Sequence, residues 1–172
     1  MIKILVGDLF ESKCQTLVNT VNTVGIMGKG IALEFKKRFP EMFADYEKLC
    51  AEGKVKLGEP YLYKKLTPPW ILNFPTKDHW RSVSKLSDII RGLKYFEQHY
   101  REWGVISIAM PPLGCGYGQL EWRIVGPTIL SIHEKLEYLC RALCSFGHAS
   151  RRIDRRILIA RNMPDCSGCE SE

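Results

Sequence analysis

Residues 17–35, LVNTVNTVGIMGKGIALEF, carry the strongest structural signal in the chain. The segment starts with apolar and β-branched residues, as a buried strand does, and continues through glycines at positions 25, 28 and 30. Apolar residues then recur at helical spacing until Pro40, which predicts the end of the helix. A glycine-rich loop that leads into a helix N-terminus can bring backbone N–H groups close to a phosphate. One such loop is a weak signal, because a glycine turn between a strand and a helix often only connects them.

A second strand and glycine-rich loop occur later in the chain. Residues 105–109 are typical of a buried strand, and residues 110–118, MPPLGCGYG, follow directly. Two such loops in one small domain fit a diphosphate that is held from both sides. Neither loop matches the phosphate loop of nucleoside triphosphatases or the dinucleotide fingerprint. The sequence therefore predicts a nucleotide diphosphate ligand that is bound without the common motifs.

Strands alternate with helices along the whole chain, which predicts an α/β fold with three layers, α/β/α, around a central mixed sheet. Further strands are predicted at residues 2–6, 58–64 and 70–74. Further helices are predicted at residues 43–50 and 86–100 and within residues 121–139, the last with a break at Pro127.

Composition fits one ordinary globular domain of 172 residues, with 45% hydrophobic and 26% charged residues. The net charge of +6 suits a partner rich in phosphate. Apolar runs are too short to cross a membrane, and the N-terminal apolar run ends at Gly7, too soon for a signal peptide. These observations predict a soluble, cytoplasmic protein without a membrane partner.

Three motifs resemble the signatures of the macrodomain family. They are Gly7-Asp8 after the first strand, residues 18–22 with the loop at 25–30, and residues 112–116. Within that family the chain is most similar to the DarG-type DNA ADP-ribosyl glycohydrolases, antitoxins that remove ADP-ribose from thymidine in DNA. This likeness rests on residues 27–35, 73–77, 79–81 and 120–122, and it extends over residues 1–139.

The resemblance implies an ADP-ribose site that needs no metal or other cofactor. Asp8 would accept a hydrogen bond from the adenine amino group, with Leu9 or Phe10 beside the ring, and Asn22 would hold the distal ribose. Both Asp8 and Asn22 could equally be turn-forming residues. The two phosphate loops would be formed by Gly28, Gly30 and Ile31, and by Gly114, Cys115, Gly116, Tyr117 and Gly118.

Lys77 is the residue to which the resemblance assigns catalysis. A lysine acts as a nucleophile only when burial or cationic neighbours such as Arg81 lower its pKa well below about 10.4. Lys77 could instead orient the substrate and stabilise charge. His79, Trp80 and Arg81 would contact DNA by stacking on a base and pairing with phosphate. The nucleotide would be single-stranded or flipped, since chemistry on a base requires access to it.

The function implied by the resemblance is hydrolysis of the N-glycosidic bond of ADP-ribosylated thymidine in single-stranded DNA. A cognate DarT-type ADP-ribosyltransferase toxin would be a partner. Two alternatives are a protein ADP-ribosyl hydrolase and a non-catalytic ADP-ribose reader. Protein-directed relatives carry an aspartate just after the second glycine-rich loop. This chain has Gly118 there, with Glu121 as the nearest acid, which favours DNA.

Residues 140–172 diverge from the family and lack periodicity, so we expect the last core strand to be absent. A one-base shift in the reading frame could spell the strand and Gly-Thr-Pro segment of the family from the codons for residues 140–150. We therefore interpret 140–172 as a divergent tail, frameshifted or disordered. Cys166-x-x-Cys169 is only a weak zinc half-site without further ligands at suitable spacing.

Overall fold

The computed structural model describes residues 2–133 and 139–144 as six strands, four α-helices and a short 3-10 turn at Leu9–Glu11. The strands lie in one mixed sheet in the order β1-β6-β5-β2-β4-β3, with only β3 antiparallel to its neighbour among the described pairs. The bounds are β1 Ile2–Val6, β2 Thr16–Val21, α1 Gly30–Arg38, α2 Pro40–Ala51, β3 Tyr61–Tyr63, β4 Trp70–Pro75, α3 Leu86–His99, β5 Ser107–Met110, α4 Trp122–His133 and β6 Leu139–Cys144.

Helices cover both faces of this sheet, which confirms the three-layer α/β/α architecture. Successive residues of a strand point to opposite faces. Leu17 of β2 accordingly packs in a core with α1 and α2, whereas Val18 packs in a second core with α3 and α4. Ile71 and Leu72 of β4 divide between the two cores in the same way.

The predicted bounds of two helices are wrong. α2 begins at Pro40 and not at residue 43, because proline is well suited to the first helical position, where its missing N–H has no partner to lose. α4 continues through Pro127 without the expected break. Val125 and Ile129 on either side of the proline are both buried in the core, and this packing holds the helix together despite the lost hydrogen bond. No helix in residues 2–133 is long and apolar enough to cross a membrane.

The expected absence of a last core strand is wrong, since Leu139–Cys144 forms β6 between β1 and β5. Five of the six residues are apolar, and the backbones of β1 and β5 offer hydrogen bonds on both sides whatever the side chains. The predicted domain boundary after residue 139 therefore falls inside this strand. The interpretation of residues 145–172, including the zinc half-site, lies outside the described residues.

Strand order determines which loops meet. β2 lies between β4 and β5 and is parallel to both, so the carboxyl ends of the three strands share one edge of the sheet. Ligands of α/β sheets bind beyond this edge. The two glycine-rich loops and the Lys77 loop all leave the sheet here.

Candidate functional site

The two glycine-rich loops meet at Gly30 and Tyr117. A Cβ atom added to Gly30 would lie 3.3 Å from the Tyr117 ring, so a side chain there would press on the tyrosine. The Tyr117 ring is 64% exposed, and Lys29 Nζ lies 5.8 Å from its centroid. The two glycine-rich loops are therefore neighbours at this edge of the sheet.

Asn22 shapes the first loop. Its Oδ1 accepts hydrogen bonds from the backbone N–H of Val24 at 3.0 Å and of Ile26 at 3.3 Å, and its Nδ2 donates to the Ile26 carbonyl at 2.6 Å. The Tyr46 hydroxyl reaches the Asn22 carbonyl at 2.9 Å and Asn22 Oδ1 at 3.0 Å. Asn22 is therefore a buried, turn-forming residue in this structure, and its contact with a ribose stays a prediction.

The first loop ends where α1 begins, with Gly30 at a φ of +59°, a conformation that favours glycine. The N-cap residue, Lys29, makes no side-chain hydrogen bond to the helix among the described residues. The first N–H groups of α1 are therefore not capped by a side chain, and the helix dipole favours an anion beside them. Gly28 is exposed and Ile31 is half-buried at this position.

The second loop is folded tightly over Ser84. Gly114 has a φ of +71°, and a Cβ atom there would lie 2.8 Å from Leu120 and 3.0 Å from the Ser84 Cβ. A Cβ atom at Gly118 would overlap the Ser84 hydroxyl and the Gly114 carbonyl. Any side chain at position 118, an aspartate included, would displace the loop. Gly116, by contrast, is exposed and has open space around it within the described part of the chain.

Lys77 follows β4 and reaches the second glycine-rich loop. Its Nζ donates to the carbonyl oxygens of Tyr117 at 3.2 Å and Trp80 at 3.1 Å. Burial of the half-buried side chain lowers the pKa of Lys77 below its ordinary value. The guanidinium of Arg81, the expected cationic neighbour of Lys77, lies over the Trp80 ring, 4.4 Å from its centroid. The lowered pKa of Lys77 is caused by burial and not by Arg81.

The three residues predicted to contact DNA lie together in one cluster. The ring centroids of His79 and Trp80 are 5.3 Å apart with tilted planes, the Arg81 guanidinium lies over the Trp80 ring, and Trp80 remains 41% exposed. Asp78 ties this segment to the first loop, because its carbonyl accepts hydrogen bonds from the Thr23 N–H at 3.2 Å and the Thr23 hydroxyl at 2.7 Å.

The predicted adenine-binding residues have different surroundings. Asp8 is exposed and caps the 3-10 turn, with Oδ1 accepting from the Phe10 N–H at 2.9 Å. Leu9 is fully buried in the core, so its side chain has no surface to offer a ligand. Phe10 keeps part of its surface and packs against Phe35 and Arg38. Phe10, and not Leu9, is therefore accessible for packing beside an adenine ring.

Sequence reasoning missed three residues that hold the loops in place: Tyr46, Thr23 and Ser84. Tyr46 is 24 positions from Asn22, and nothing in a short amphipathic helix marks one tyrosine as a loop anchor. In the sequence, Thr23 is one polar residue of the first glycine-rich loop, and nothing there indicates its hydrogen bonds to Asp78. Ser84 donates its backbone N–H to the Gly118 carbonyl at 2.9 Å, a contact that no local pattern indicates.

Comparisons with known proteins agree on one family. The Macro domain family model matches residues 18–129. A curated relative, the DNA ADP-ribosyl glycohydrolase of Mycobacterium tuberculosis, is 47% identical over 151 residues, which are 86% of this chain and 43% of that protein. The chain thus spans less than half the length of this relative.

Two solved structures are similar at the level of the whole domain. The macrodomain of Mycobacterium tuberculosis DarG has a TM-score of 0.80 and 44% identity, covering 86% of this chain and 99% of that one. Thermosipho africanus DarTG in complex with ADP-ribose has a TM-score of 0.79 and 37% identity, covering 87% of this chain and 43% of that one.

Proposed function

Because this chain belongs to the macro domain family, we propose that it binds ADP-ribose between its two glycine-rich loops and removes it from DNA. The reaction is hydrolysis of the N-glycosidic bond that joins ADP-ribose to thymidine in single-stranded DNA. The observation that carries the proposal is the position of Lys77, whose ammonium is bonded to the second glycine-rich loop at Tyr117. The names of the relatives, a DNA ADP-ribosyl glycohydrolase and a DarTG chain in complex with ADP-ribose, support it.

The two glycine-rich loops together would suit a diphosphate with a sugar at each end. The N-terminus of α1 with Gly28, Gly30 and Ile31 would bind one phosphate, and Gly114 to Gly118 the other. Glycine at position 116 leaves space for a phosphate to approach the backbone. One oxygen of the Asp8 carboxylate caps the 3-10 turn. The other oxygen would accept a hydrogen bond from the adenine amino group. Asn22 would act on the distal ribose chiefly by shaping the first loop, and Tyr117 would cover that sugar.

Lys77 can serve the reaction in two ways. As a free amine, its Nζ would bond to the anomeric carbon while the C–N bond to thymidine breaks and the base takes up a proton. Water would then hydrolyse the lysine-linked sugar and restore the amine. As an ammonium, Lys77 would stabilise charge on the departing base while water attacks the anomeric carbon. Burial favours the first route by lowering the pKa, and the two carbonyl acceptors suit the second.

The glycine at position 118 favours DNA over protein as the molecule from which ADP-ribose is removed. Protein-directed relatives have an aspartate there, and here even a Cβ would overlap Ser84 and Gly114. Glu121, the nearest acid, is exposed and paired with Arg123. The cluster of His79, Trp80 and Arg81, with Trp80 exposed, offers contacts to flanking nucleotides.

A DNA substrate also indicates the setting of the reaction. We propose that the protein acts in the cytoplasm, reverses a DNA lesion and so contributes to DNA repair. Its partner would be a DarT-type ADP-ribosyltransferase toxin that makes the modification. No cofactor is needed by either route, since the hydrolysis uses only water and protein groups.

One comparison tests the proposal. The protein is incubated with ADP-ribosylated single-stranded DNA and with ADP-ribosylated protein, in parallel, and released ADP-ribose is measured. We expect release from DNA. Release from protein alone would favour the protein hydrolase, and stabilisation by ADP-ribose without release from either would favour the reader.

Saturating ADP-ribose should raise the melting temperature, with a stabilisation of about 2.7 kcal/mol at roughly a hundredfold excess over Kd. Absence of this stabilisation in folded protein would contradict the proposed ligand.

A further inference from the structure

The hydroxyl of Ser84 is buried beneath the second glycine-rich loop, and the roles described above use only the backbone of this residue. Ser84 lies two positions before α3, and only 5% of its surface is exposed. Its Oγ is sealed from solvent and has no hydrogen-bond partner among the described residues. Buried hydroxyl groups are rarely left unpaired, because the loss of their bonds to water is not compensated. The Ser84 hydroxyl therefore requires an explanation.

The Ser84 Oγ lies directly against the backbone of the loop. A Cβ atom at Gly118 would overlap both this Oγ and the Gly114 carbonyl oxygen, so the two oxygens are close neighbours. A Cβ atom at Gly114 would lie 3.2 Å from the same Oγ. A gap too narrow for one carbon atom cannot hold a water molecule between the hydroxyl and the loop. The partner of the hydroxyl must therefore come from the loop backbone.

The Gly114 carbonyl is the group best placed to become that partner. It accepts one hydrogen bond, from the Leu120 N–H at 2.9 Å, and a carbonyl oxygen can accept two. The carbonyl of Gly118 is already used in the same contact, because it accepts from the Ser84 N–H at 2.9 Å. A small shift of the loop would let the Ser84 hydroxyl donate to Gly114 while its N–H stays bonded to Gly118.

The other side of the loop is where a ligand would pull. The N–H groups of Gly116, Tyr117 and Gly118 make no backbone hydrogen bond within the described part of the chain. Successive free N–H groups of this kind bind phosphate. A diphosphate held by them would draw the loop as a unit, and the Gly114 carbonyl belongs to that unit.

Resting on the proposed function, we propose that Ser84 is a positioning residue whose hydroxyl bonds to the Gly114 carbonyl when ADP-ribose binds to the second loop. The ligand then brings two gains, its own bonds to the loop and the pairing of a hydroxyl that otherwise has no partner. Because the second gain exists only in the bound protein, it contributes to affinity and not to the stability of the free protein.

Ser84→Ala separates these two quantities. The Kd for free ADP-ribose should rise by about fivefold or more, because the bond to Gly114 is lost. The melting temperature of the free protein should be unchanged or higher, because an unpaired buried hydroxyl is removed. A residue that only supports the loop would instead lower the melting temperature when truncated. Titration calorimetry and thermal unfolding measure the two effects on the same samples.

Thr16→Val is the matched control. The Oγ1 of Thr16 is also buried and without a hydrogen-bond partner among the described residues. Thr16 begins β2, at the opposite end of that strand from the first glycine-rich loop. The control removes the same kind of group away from the ligand. It should keep or raise the melting temperature and leave the Kd for ADP-ribose unchanged.

The outcomes are distinct. A wild-type Kd in Ser84→Ala, a lower melting temperature in that variant, or an equal loss of affinity in Thr16→Val would each overturn the role of Ser84. Wild-type protein that binds ADP-ribose but releases none from DNA would contradict only the proposed hydrolysis, and the result for Ser84 would stand. Wild-type protein that fails to bind ADP-ribose would overturn both proposals.

Discussion

The Nζ of Lys77 donates a hydrogen bond of 3.2 Å to the backbone carbonyl of Tyr117. The two residues follow β4 and β5, strands that are separated in the sheet by β2. The position of the lysine therefore depends on the fold of the second glycine-rich loop. We therefore expect a ligand that orders this loop to help orient Lys77 as well, together with the Trp80 carbonyl that Nζ also contacts.

Lys77→Ala should lower the rate of ADP-ribose release from DNA by about a hundredfold or more, because the amine that contacts the second glycine-rich loop is removed. Isothermal titration should give a Kd for free ADP-ribose close to that of wild type, since the phosphate loops are intact. Lys94→Ala is the matched control, because Lys94 is an exposed lysine on α3. Retention of wild-type turnover by Lys77→Ala would refute the lysine mechanism and make Glu121 the next candidate.

The layers of the fold and the loops of the site were predictable from sequence because their signals are local. A strand, a glycine-rich loop and a helix start follow one another within residues 17–35, and the structure has β2, the loop and α1 there. The contact between Lys77 and the second loop did not follow from the sequence, because the two residues lie on loops after different strands and no local pattern joins them. The residue roles taken from the family resemblance remain predictions.

What could not be predicted depends on contacts between distant segments. β6 forms because β1 and β5 leave room for a strand between them. No pattern within residues 139–144 predicts that space, because other segments create it. Tyr46 similarly meets Asn22 only after α2 packs on the sheet. The side chain of Asn22 was expected to face a ligand, but the folded loop uses it for hydrogen bonds to its own backbone.

Tyr46→Phe should weaken ADP-ribose binding without contact between Tyr46 and the ligand. The hydroxyl lost is the one that bonds to Asn22, so the first loop would become less ordered. We expect the free energy of unfolding to fall by about 1 kcal/mol, as for one buried hydrogen bond. Denaturant unfolding and ADP-ribose titration check both effects. The control is Tyr63→Phe on β3, outside this loop, and equal losses of affinity in both variants would contradict the role of Tyr46.

Gly118→Asp should destabilise the protein and should not create a protein-directed hydrolase. The new Cβ would overlap Ser84 and the Gly114 carbonyl, and overpacking of this kind costs about 1–3 kcal/mol. Thermal unfolding measures the loss. Gly116→Ala is the comparison, because its Cβ meets open space within the described residues. It should keep the melting temperature but weaken ADP-ribose binding if a phosphate lies there. A Gly118→Asp protein of wild-type stability would show that the loop can rearrange.

The pH dependence of turnover distinguishes the two roles of Lys77. A nucleophilic amine predicts a rate that rises with pH until the lysine is neutral, whereas a stabilising ammonium predicts a rate that falls over the same range. The lowered pKa of Lys77 also makes the stability of the fold depend on pH. Burial lowers the pKa in the folded state, so between the folded and unfolded values the unfolded chain binds more protons and stability rises with pH. Lys77→Met removes this contribution, so its stability relative to wild type should decrease as pH rises toward about 10.4.

Chemical trapping decides the same question independently. If Lys77 bonds to the anomeric carbon, the opened sugar forms an imine with Nζ, and borohydride added during turnover should reduce it to a stable amine. Mass spectrometry should then find ADP-ribose on the peptide that contains Lys77, with no adduct in Lys77→Ala. A rate that falls with rising pH, together with no adduct on wild type, would assign Lys77 to charge stabilisation. In that case water attacks the sugar directly, and the two carbonyl contacts of Nζ hold the ammonium beside the departing base.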